Sequence, residues 1–507
     1  MAADRYDLVI RGATIIDGTG AAGFRGDVAI RDDRIVKVAQ DLATSAARKV
    51  IDASGLTLAP GFIEPHAHIT DIASYPVPEN FLRQGITTIV NSLHSLDQPY
   101  PLGPFLDGLK VAPNTVWTAG HSWQRKRIIG LDNRPPTPAE LARMAQLTSE
   151  AMDDGAIGYA TGLEYIPANF AAPDEVIALA GASRRPNAIY FSHLRDEGSA
   201  LLAAVDEAIN VGRKTGLPVH INHLKSTGIA NQGAGGAVLA AIDAANDTGL
   251  QVSFDVYPYE AYSTYSTVLF PSWVLAGSPA DYARRIDDPA TRARLKQEMA
   301  GIYQAQTLGT PDSVQFREIA GDARFAGKTL RDWLRAHNRP ETADGMIDAL
   351  IELQRDGGFT GIFMAMADRD ITAFIRHPRA SISSDGDLIA FGKGYPHPRS
   401  YGAFPRILGH YVRERQVLTL EAAVLKMTSR PAQDLHIADR GMVKPGYFAD
   451  IVIFDANRVT DHATFADPHR YSEGIAYLLV NGVLVIESGA VTGARPGRAL
   501  RRVATNQ

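Results

Sequence analysis

The chain has 507 residues, 45% of them hydrophobic and 21% charged, with 45 glycines and a formal net charge of -5. That balance fits a folded protein with many tight turns, larger than one common domain, and excludes extended disorder. No run of Lys or Arg offers contacts to nucleic-acid phosphates, no apolar stretch is long enough to cross a bilayer, and the lack of cysteine excludes disulfides, thiolate ligands and a Cys nucleophile. The N-terminus shows no apolar leader pattern, so cytoplasmic residence is the expectation.

In chain order, Asp7–Asp17, Asp27–Ile30 and Arg34–Val38 read as short strands with partial period-two alternation, broken by Gly and Asp turns. From Gly61 onward, apolar runs of strand length alternate with helical patterns, the arrangement of parallel strands joined by crossover helices. Eight such runs occur: Gly61–His66, Thr87–Ser92, Asn114–Ala119, Ala156–Thr161, Ala188–Ser192, Pro218–Asn222, Gln251–Tyr257 and Ala380–Ser384. Between them, Thr137-Pro138-Ala139-Glu140 is a capping box with Pro in the first turn, and Leu201, Val205, Ala208, Ile209 and Gly212 trace one helix face ahead of Gly216. Eight strands predict an α/β fold, a closed (β/α)8 TIM-like barrel over residues 58–439, rather than an open sheet.

Runs seven and eight stand roughly 120 residues apart, far beyond the usual loop of about 4–6 residues, so an insertion over about 270–360 is expected. Ala280–Gln304, Leu330–His337 and Asp344–Gln354 look helical, and the insertion is expected to cover the barrel mouth as a lid. Near the end, Ala449–Asp455 and Ala476–Val485 are β-rich again, with Asn481-Gly482 as a hairpin turn. Neither terminal β segment buries a face alone. Residues 1–57 and 440–507 are therefore expected to form one composite β-sandwich domain, with Arg498, Arg501 and Arg502 on a solvated tail.

Barrel enzymes carry their reacting groups at the C-terminal ends of the strands. Strand one ends in His66-Ala67-His68, and its two imidazoles share a face because alternate strand residues do. His193 ends strand five, His223 ends strand six and Asp385 lies at the end of strand eight. Of 14 histidines, four therefore fall on strand ends beside one acid, a nitrogen and oxygen set that suits Zn2+, Co2+ or Mn2+ with open positions for water. Lys225 shares the face of His223, whereas His220 turns toward the helices and reads as structural. His337, His377, His410, His436, His462 and His469 have no motif around them.

The segment Pro60-Gly61-Phe62-Ile63-Glu64-Pro65-His66-Ala67-His68 resembles the strand-one motif of the amidohydrolase superfamily, and the chain is similar to its D-aminoacylase (N-acyl-D-amino-acid deacylase) branch over nearly its whole length. The likeness rests also on Gly85-Ile86-Thr87-Thr88, Gly162-Leu163-Glu164-Tyr165, His193-Leu194-Arg195-Asp196-Glu197-Gly198 and Asp255-Val256-Tyr257-Pro258-Tyr259. Further support comes from Ser384-Asp385-Gly386, His397-Pro398-Arg399, Gly402-Ala403-Phe404-Pro405-Arg406 and Thr492-Gly493-Ala494-Arg495-Pro496-Gly497. The resemblance implies His66, His68, His193 and His223 as metal ligands and Asp385 as both a ligand and the acid/base. It implies that Lys225 grips a substrate carboxylate, with Arg399 and Tyr257 as further candidates for that anion and His121 as a pocket histidine.

Three departures stand out. His94 occupies the position where the branch carries a metal-binding cysteine, and is itself a candidate ligand. Glu164, not a lysine, ends strand four, either as a bridging carboxylate or in a supporting role behind the ligands. Asn222-His223-Leu224 replaces the usual Ser-His-His, which implies an altered pocket.

The implied reaction is hydrolysis of an amide in a small N-acyl substrate bearing a carboxylate, with zinc or a similar ion polarising the carbonyl and lowering the pKa of a bound water toward about 7. Asp385 is expected to take the water's proton and deliver it to the leaving nitrogen. One or two ions, and assembly into a homo-oligomer, are all compatible with the chain. The changes at His94 and Leu224 keep open a cyclic amide or ester hydrolase. A non-catalytic binding scaffold is the reading from another class, and the complete His66, His68, His193, His223, Asp385 set stands against it.

Overall fold

The computed structural model describes residues 6–92 and 96–502. Parallel strands follow one another around a ring: Phe62–Ala67, Ile86–Asn91, Asn114–Trp117 continuing as Ala119–Gly120, Gly158–Gly162, Ile189–His193, Val219–Ile221, Val252–Val256 and Ala380–Ile382. Each pairs in parallel with the next. Backbone bonds from Asp385 N to His66 O (3.1 Å) and from His68 N to Gly386 O (2.8 Å) join the eighth strand to the first. The strands are short and apolar because both faces are covered, and every residue of the fifth strand is buried.

The crossover helices follow the sequence signals. Pro138–Asp153 begins at the Thr137 capping box, in which Glu140 N donates to Thr137 Oγ1 and Thr137 N to Glu140 Oε2. Leu201–Thr215 buries Leu201, Val205, Ala208, Ile209 and Gly212, and ends at Gly216 with φ of 74°, a backbone state that glycine adopts without a Cβ clash.

The inserted segment is not purely helical. Helices Pro279–Asp287, Pro289–Gln306, Leu330–Ala336 and Ala343–Arg355 match the sequence expectation. With them comes a three-stranded antiparallel sheet, Ala261–Tyr265 and Val314–Ile319 flanking Phe359–Met364, which the sequence reading passed over and which extends the insertion beyond the expected 270–360 at both ends. Short strands that mix apolar residues with Gln315, Arg317 and Thr360 carry too weak a period to separate from loops.

Both termini build a separate β-rich region, its nine strands joined in one continuous hydrogen-bonded set. Tyr6–Ile15 is long enough to pair in parallel with two successive strands along one edge, Ala47–Asp52 and then Thr57–Pro60. Thr57–Pro60 continues into the C-terminal strands Ile451–Phe454, Ile475–Val480 and Val483–Glu487, the last two forming the hairpin at Asn481-Gly482. One core mixes Ile10, Ile15 and Ile30 from the first segment with Ile451, Ile453 and Leu479 from the last.

The segment that carries the C-terminal arginines is strand-paired rather than a loose tail, although the Arg498 and Arg501 side chains stay exposed. Ala499–Leu500 pairs in parallel with Asn114–Trp117, Arg498 forms an ion pair with Asp33 at 2.7 Å, and Arg501 reaches Asp107. The backbone of a ring strand offers this segment hydrogen bonds that water does not improve on. Among the described residues, no helix is long and apolar enough to cross a membrane.

Candidate metal centre

The ring topology brings distant sequence motifs to one end. His66 and His68 leave the first strand, His193 ends the fifth, His223 follows the sixth, and Asp385 follows the eighth. Glu64, two residues before His66 and on its face, is fully buried and accepts from His66 N (3.0 Å) and Ser384 N (2.8 Å). It therefore clips together the two strands that carry His66 and Asp385. Burial raises its carboxyl well above the usual range, only partly offset by the hydrogen bonds from Ser384 and His66. Asp255 does similar work at the sixth strand: it accepts from His223 N at 2.9 Å and holds His220 Nε2 at 3.0 Å. His220 is thus a buried support, and it lies against Phe191, on the strand face that carries His193, rather than toward the helices as the alternation predicted.

His223 and Asp385 have φ of 37° and 49°, in the left-handed region that side chains with a Cβ avoid. The surrounding bonds hold this strain where the side chains converge.

Asp385 Oδ1 lies 3.0 Å from His68 Nε2 and 3.3 Å from His66 Nε2, and Oδ2 lies 2.7 Å from the Arg399 guanidinium. The His66 ring stands edge-on to His223 with centroids 4.7 Å apart. His193 Nδ1 is 2.8 Å from His223 Nε2, while His193 Nε2 faces Glu164 Oε2 at 3.0 Å. Two groups of donor atoms, His66 with His223 and Asp385, and His193 with Glu197 and His223, each lie within 4.8 Å of one another and are buried. Imidazole nitrogen and carboxylate oxygen at that spacing fit one divalent ion with room for a second.

The electrostatics suit ligands. Burial pushes His193 down to about 3, burial and then the Lys225 charge hold His223 well below its usual value, and burial lowers His66 against the pull of Asp385. These imidazoles are neutral, the form that donates to a metal. Burial alone would lower His68, but the hydrogen bond and charge of Asp385 carry it above its usual value. Burial alone would raise Asp385, yet Arg399, His223, His66 and His68 together hold it well below the usual carboxylate range.

Glu197 was missed. It lies in the quoted His193 motif, four residues beyond the histidine, and that spacing of an acid from a strand-end ligand was the available signal. It accepts from Lys225 Nζ with both oxygens, at 2.7 and 2.8 Å, and lies 3.2 Å from His223 Nδ1. Lys225 and Arg399, read as anion grips, are each already paired with a carboxylate of the protein. Both flank Tyr257, with the ammonium 5.6 Å and the guanidinium 4.9 Å from its ring centre.

His121 is not brought to the cluster. It is fully buried at the start of helix His121–Ile128, where Nε2 meets Glu175 Oε1 at 3.0 Å beside Arg125. A helix begins directly after the third ring strand and turns this side chain toward its neighbours instead of the ring mouth. His94 lies outside the described residues.

The inserted segment reaches the site as well. Gln306 Nε2 donates to Glu164 Oε1 (2.9 Å), Thr264 Oγ1 to Tyr165 (3.1 Å), and Arg317 pairs with Asp387 at 2.8 Å. The Tyr165 ring in turn lies 4.5 Å from His193.

Comparison with known proteins shows the family. A family profile described as the amidohydrolase family matches residues 126–486. The N-acyl-D-glutamate deacylase of Alcaligenes xylosoxydans xylosoxydans is 34% identical over 99% of this chain and 98% of its own. The N-acyl-D-glutamate deacylase of Bordetella bronchiseptica, solved with zinc and a phosphonate mimic of the tetrahedral intermediate, superposes with a TM-score of 0.83 at 32% identity, covering 98% of this chain and 100% of that one. A D-aminoacylase with a binuclear metal centre gives the same TM-score of 0.83 at 31% identity and the same coverage.

Proposed function

This chain belongs to the amidohydrolase family, and from that premise we propose that it removes the acyl group from an N-acyl-D-amino acid by zinc-dependent hydrolysis. The observation that carries the reading is the convergence of buried His66, His193, His223 and Asp385 donors beside the Arg399 and Lys225 cations. His66, His68, His193, His223 and Asp385 hold the metal in this reading, with His94 and Glu197 as further donors and Glu164 behind them. Bound there, a divalent ion supplies Lewis acidity to the scissile carbonyl and makes a water nucleophilic near neutral pH.

The chain's own groups do the rest. Asp385, kept ionised by Arg399, accepts the proton of the attacking water at one carboxylate oxygen. It returns that proton to the amide nitrogen, which leaves poorly unless protonated. Arg399 also fixes the orientation of the carboxylate through Oδ2, leaving Oδ1 toward His66 and His68. Lys225 and Tyr257 border the space beside Arg399, and a substrate carboxylate there competes with Glu197 for the Lys225 ammonium. Holding that carboxylate next to the scissile amide raises the effective concentration of the reacting groups. The hydrolase unit spans residues 58–439, the terminal β domain 1–57 and 440–507, and the inserted segment serves as a lid, a role supported by its contacts with Glu164, Tyr165 and Asp387.

The test is metal content per chain together with amine release from matched N-acyl-D and N-acyl-L amino acids. D-selective release that a chelator abolishes and zinc restores is the expected result. A protein that binds metal but releases amine from no member of the panel overturns the substrate and redirects the search to cyclic amides and esters, given Leu224 in the pocket.

A further inference from the structure

Asp385 pairs with Arg399, Glu197 with Lys225 and Asp387 with Arg317, whereas Glu164 is engaged by two uncharged side chains. Its Oε2 meets His193 Nε2 at 3.0 Å and its Oε1 accepts from Gln306 Nε2 at 2.9 Å. Both oxygens are therefore used, and they are used in opposite directions, one toward the centre and one toward the inserted segment.

The network assigns its own hydrogens. The Tyr262 hydroxyl, 2.9 Å from Gln306 Oε1 and 3.0 Å from Gln306 O, has one proton for both and holds the Gln306 side chain in place, while an ionised Glu164, which only accepts, turns the amide NH2 toward itself. Burial raises the Glu164 carboxyl to about 7; in its ionised form it accepts the Gln306 amide on one side and an N–H from His193 on the other, which puts the imidazole proton on Nε2. That leaves the Nδ1 lone pair pointing to the side where His223 Nε2 lies 2.8 Å away, the side of the candidate ion. A histidine ligand whose second nitrogen donates to a carboxylate is fixed in both tautomer and ring orientation.

We infer that Glu164, held by Gln306 and Tyr262 of the inserted segment, is a positioning residue that presents His193 to the metal through Nδ1, so that the seating of the inserted segment sets metal affinity. The inference rests on the metal-centre reading above but adds a dependence that the centre alone does not require. Gln306 ends helix Pro289–Gln306 and Tyr262 lies on strand Ala261–Tyr265, so two elements of the insertion act on one ring ligand without touching the ion. The alternative role for Glu164, as a direct bridging ligand, is separated from this one by metal stoichiometry.

The experiment compares wild type with Glu164→Gln, Glu164→Leu, Gln306→Leu and Tyr262→Phe. Its readouts are zinc stoichiometry and affinity by chelator competition, the visible spectrum of the cobalt form, and the thermal midpoint of the metal-free protein. Glu164→Leu is expected to weaken zinc about 10- to 100-fold, in the range seen when the partner of a ligating histidine is removed. Glu164→Gln, which keeps an acceptor, falls between it and wild type, and Gln306→Leu weakens zinc several-fold from outside the coordination shell. Cobalt bands shift in the same order while the metal-free midpoints stay together. Zinc affinity within twofold of wild type in both Glu164→Leu and Gln306→Leu overturns the inference, as does loss of one whole ion per chain in Glu164→Leu, which makes Glu164 a ligand. A wild type that binds no divalent ion overturns the metal-centre reading itself and the inference with it.

Discussion

Replacing Asp385 by asparagine keeps the size of the side chain and one carbonyl oxygen but removes the charge. In the structure that charge faces Arg399 at 2.7 Å and His68 at 3.0 Å, with the Asp385 side chain 7% exposed and that of Arg399 3% exposed. Two costs follow. A positioned acid/base contributes about 10²- to 10⁴-fold to rate, equivalent to about 2.7–5.4 kcal/mol at 1.36 kcal/mol per tenfold. Removing one partner of a buried ion pair costs up to about 3–5 kcal/mol of stability, and less here because the asparagine oxygen still accepts from Arg399. The assay is kcat at saturating substrate and saturating zinc, with metal content measured on the same sample. A fall of about 10²-fold or more in a fully metallated protein is expected. A fully metallated Asp385→Asn enzyme within tenfold of wild type refutes the proton-transfer role, whatever happens to its stability.

Lys225→Met removes the ammonium beside Tyr257, and charge-assisted hydrogen bonds of about 1.5–3 kcal/mol predict a fall in kcat/KM of roughly 10- to 150-fold for a substrate with a carboxylate. An N-acyl amine lacking that carboxylate should lose far less, and equal losses for both would count against the grip. Asp450→Ala strips Arg440, whose side chain is 2% exposed, of its buried anion and leaves Asn481 N without its acceptor. Denaturant unfolding should show a loss of about 3–5 kcal/mol, and a loss under about 1 kcal/mol would mean this junction between the β region and the ring is not held by the pair.

Burial, with Arg430 nearby, pushes Lys426 down to about 8 from 10.5. Between those pH values the unfolded chain binds the extra proton, so stability rises with pH through that window, by at most about 3.4 kcal/mol at 1.36 kcal/mol per unit. Lys426→Met should flatten the rise of the thermal midpoint between about pH 8 and 10. An unchanged slope would show that the lysine stays charged in the fold.

The strand pattern and strand-end chemistry were legible in the chain because they are local. Period and run length mark Gly61–His66 or Ala188–Ser192 as strands, and a histidine directly after such a run has one place to go once the strands are parallel. Zero cysteine restricted the metal donors to nitrogen and oxygen before any contact was known. The Thr137 cap and the Gly216 stop are likewise written in a few adjacent residues.

What only the tertiary structure decided depends on partners far apart in sequence. His121 could be assigned to a pocket from its position after strand three, yet its partner is Glu175, on a helix that no local pattern links to it. Lys225 looked like a free cation until Glu197 was found against it, and the C-terminal segment looked unpaired until Asn114–Trp117 supplied a strand edge. The setting of His193 is the sharpest case, because Glu164 against it is held by Gln306, which contacts Tyr262 in an insertion whose sheet the sequence barely announces. Periodicity reports which face of an element is buried. It carries no information on which distant side chain completes a hydrogen bond, since that is settled by where whole elements pack.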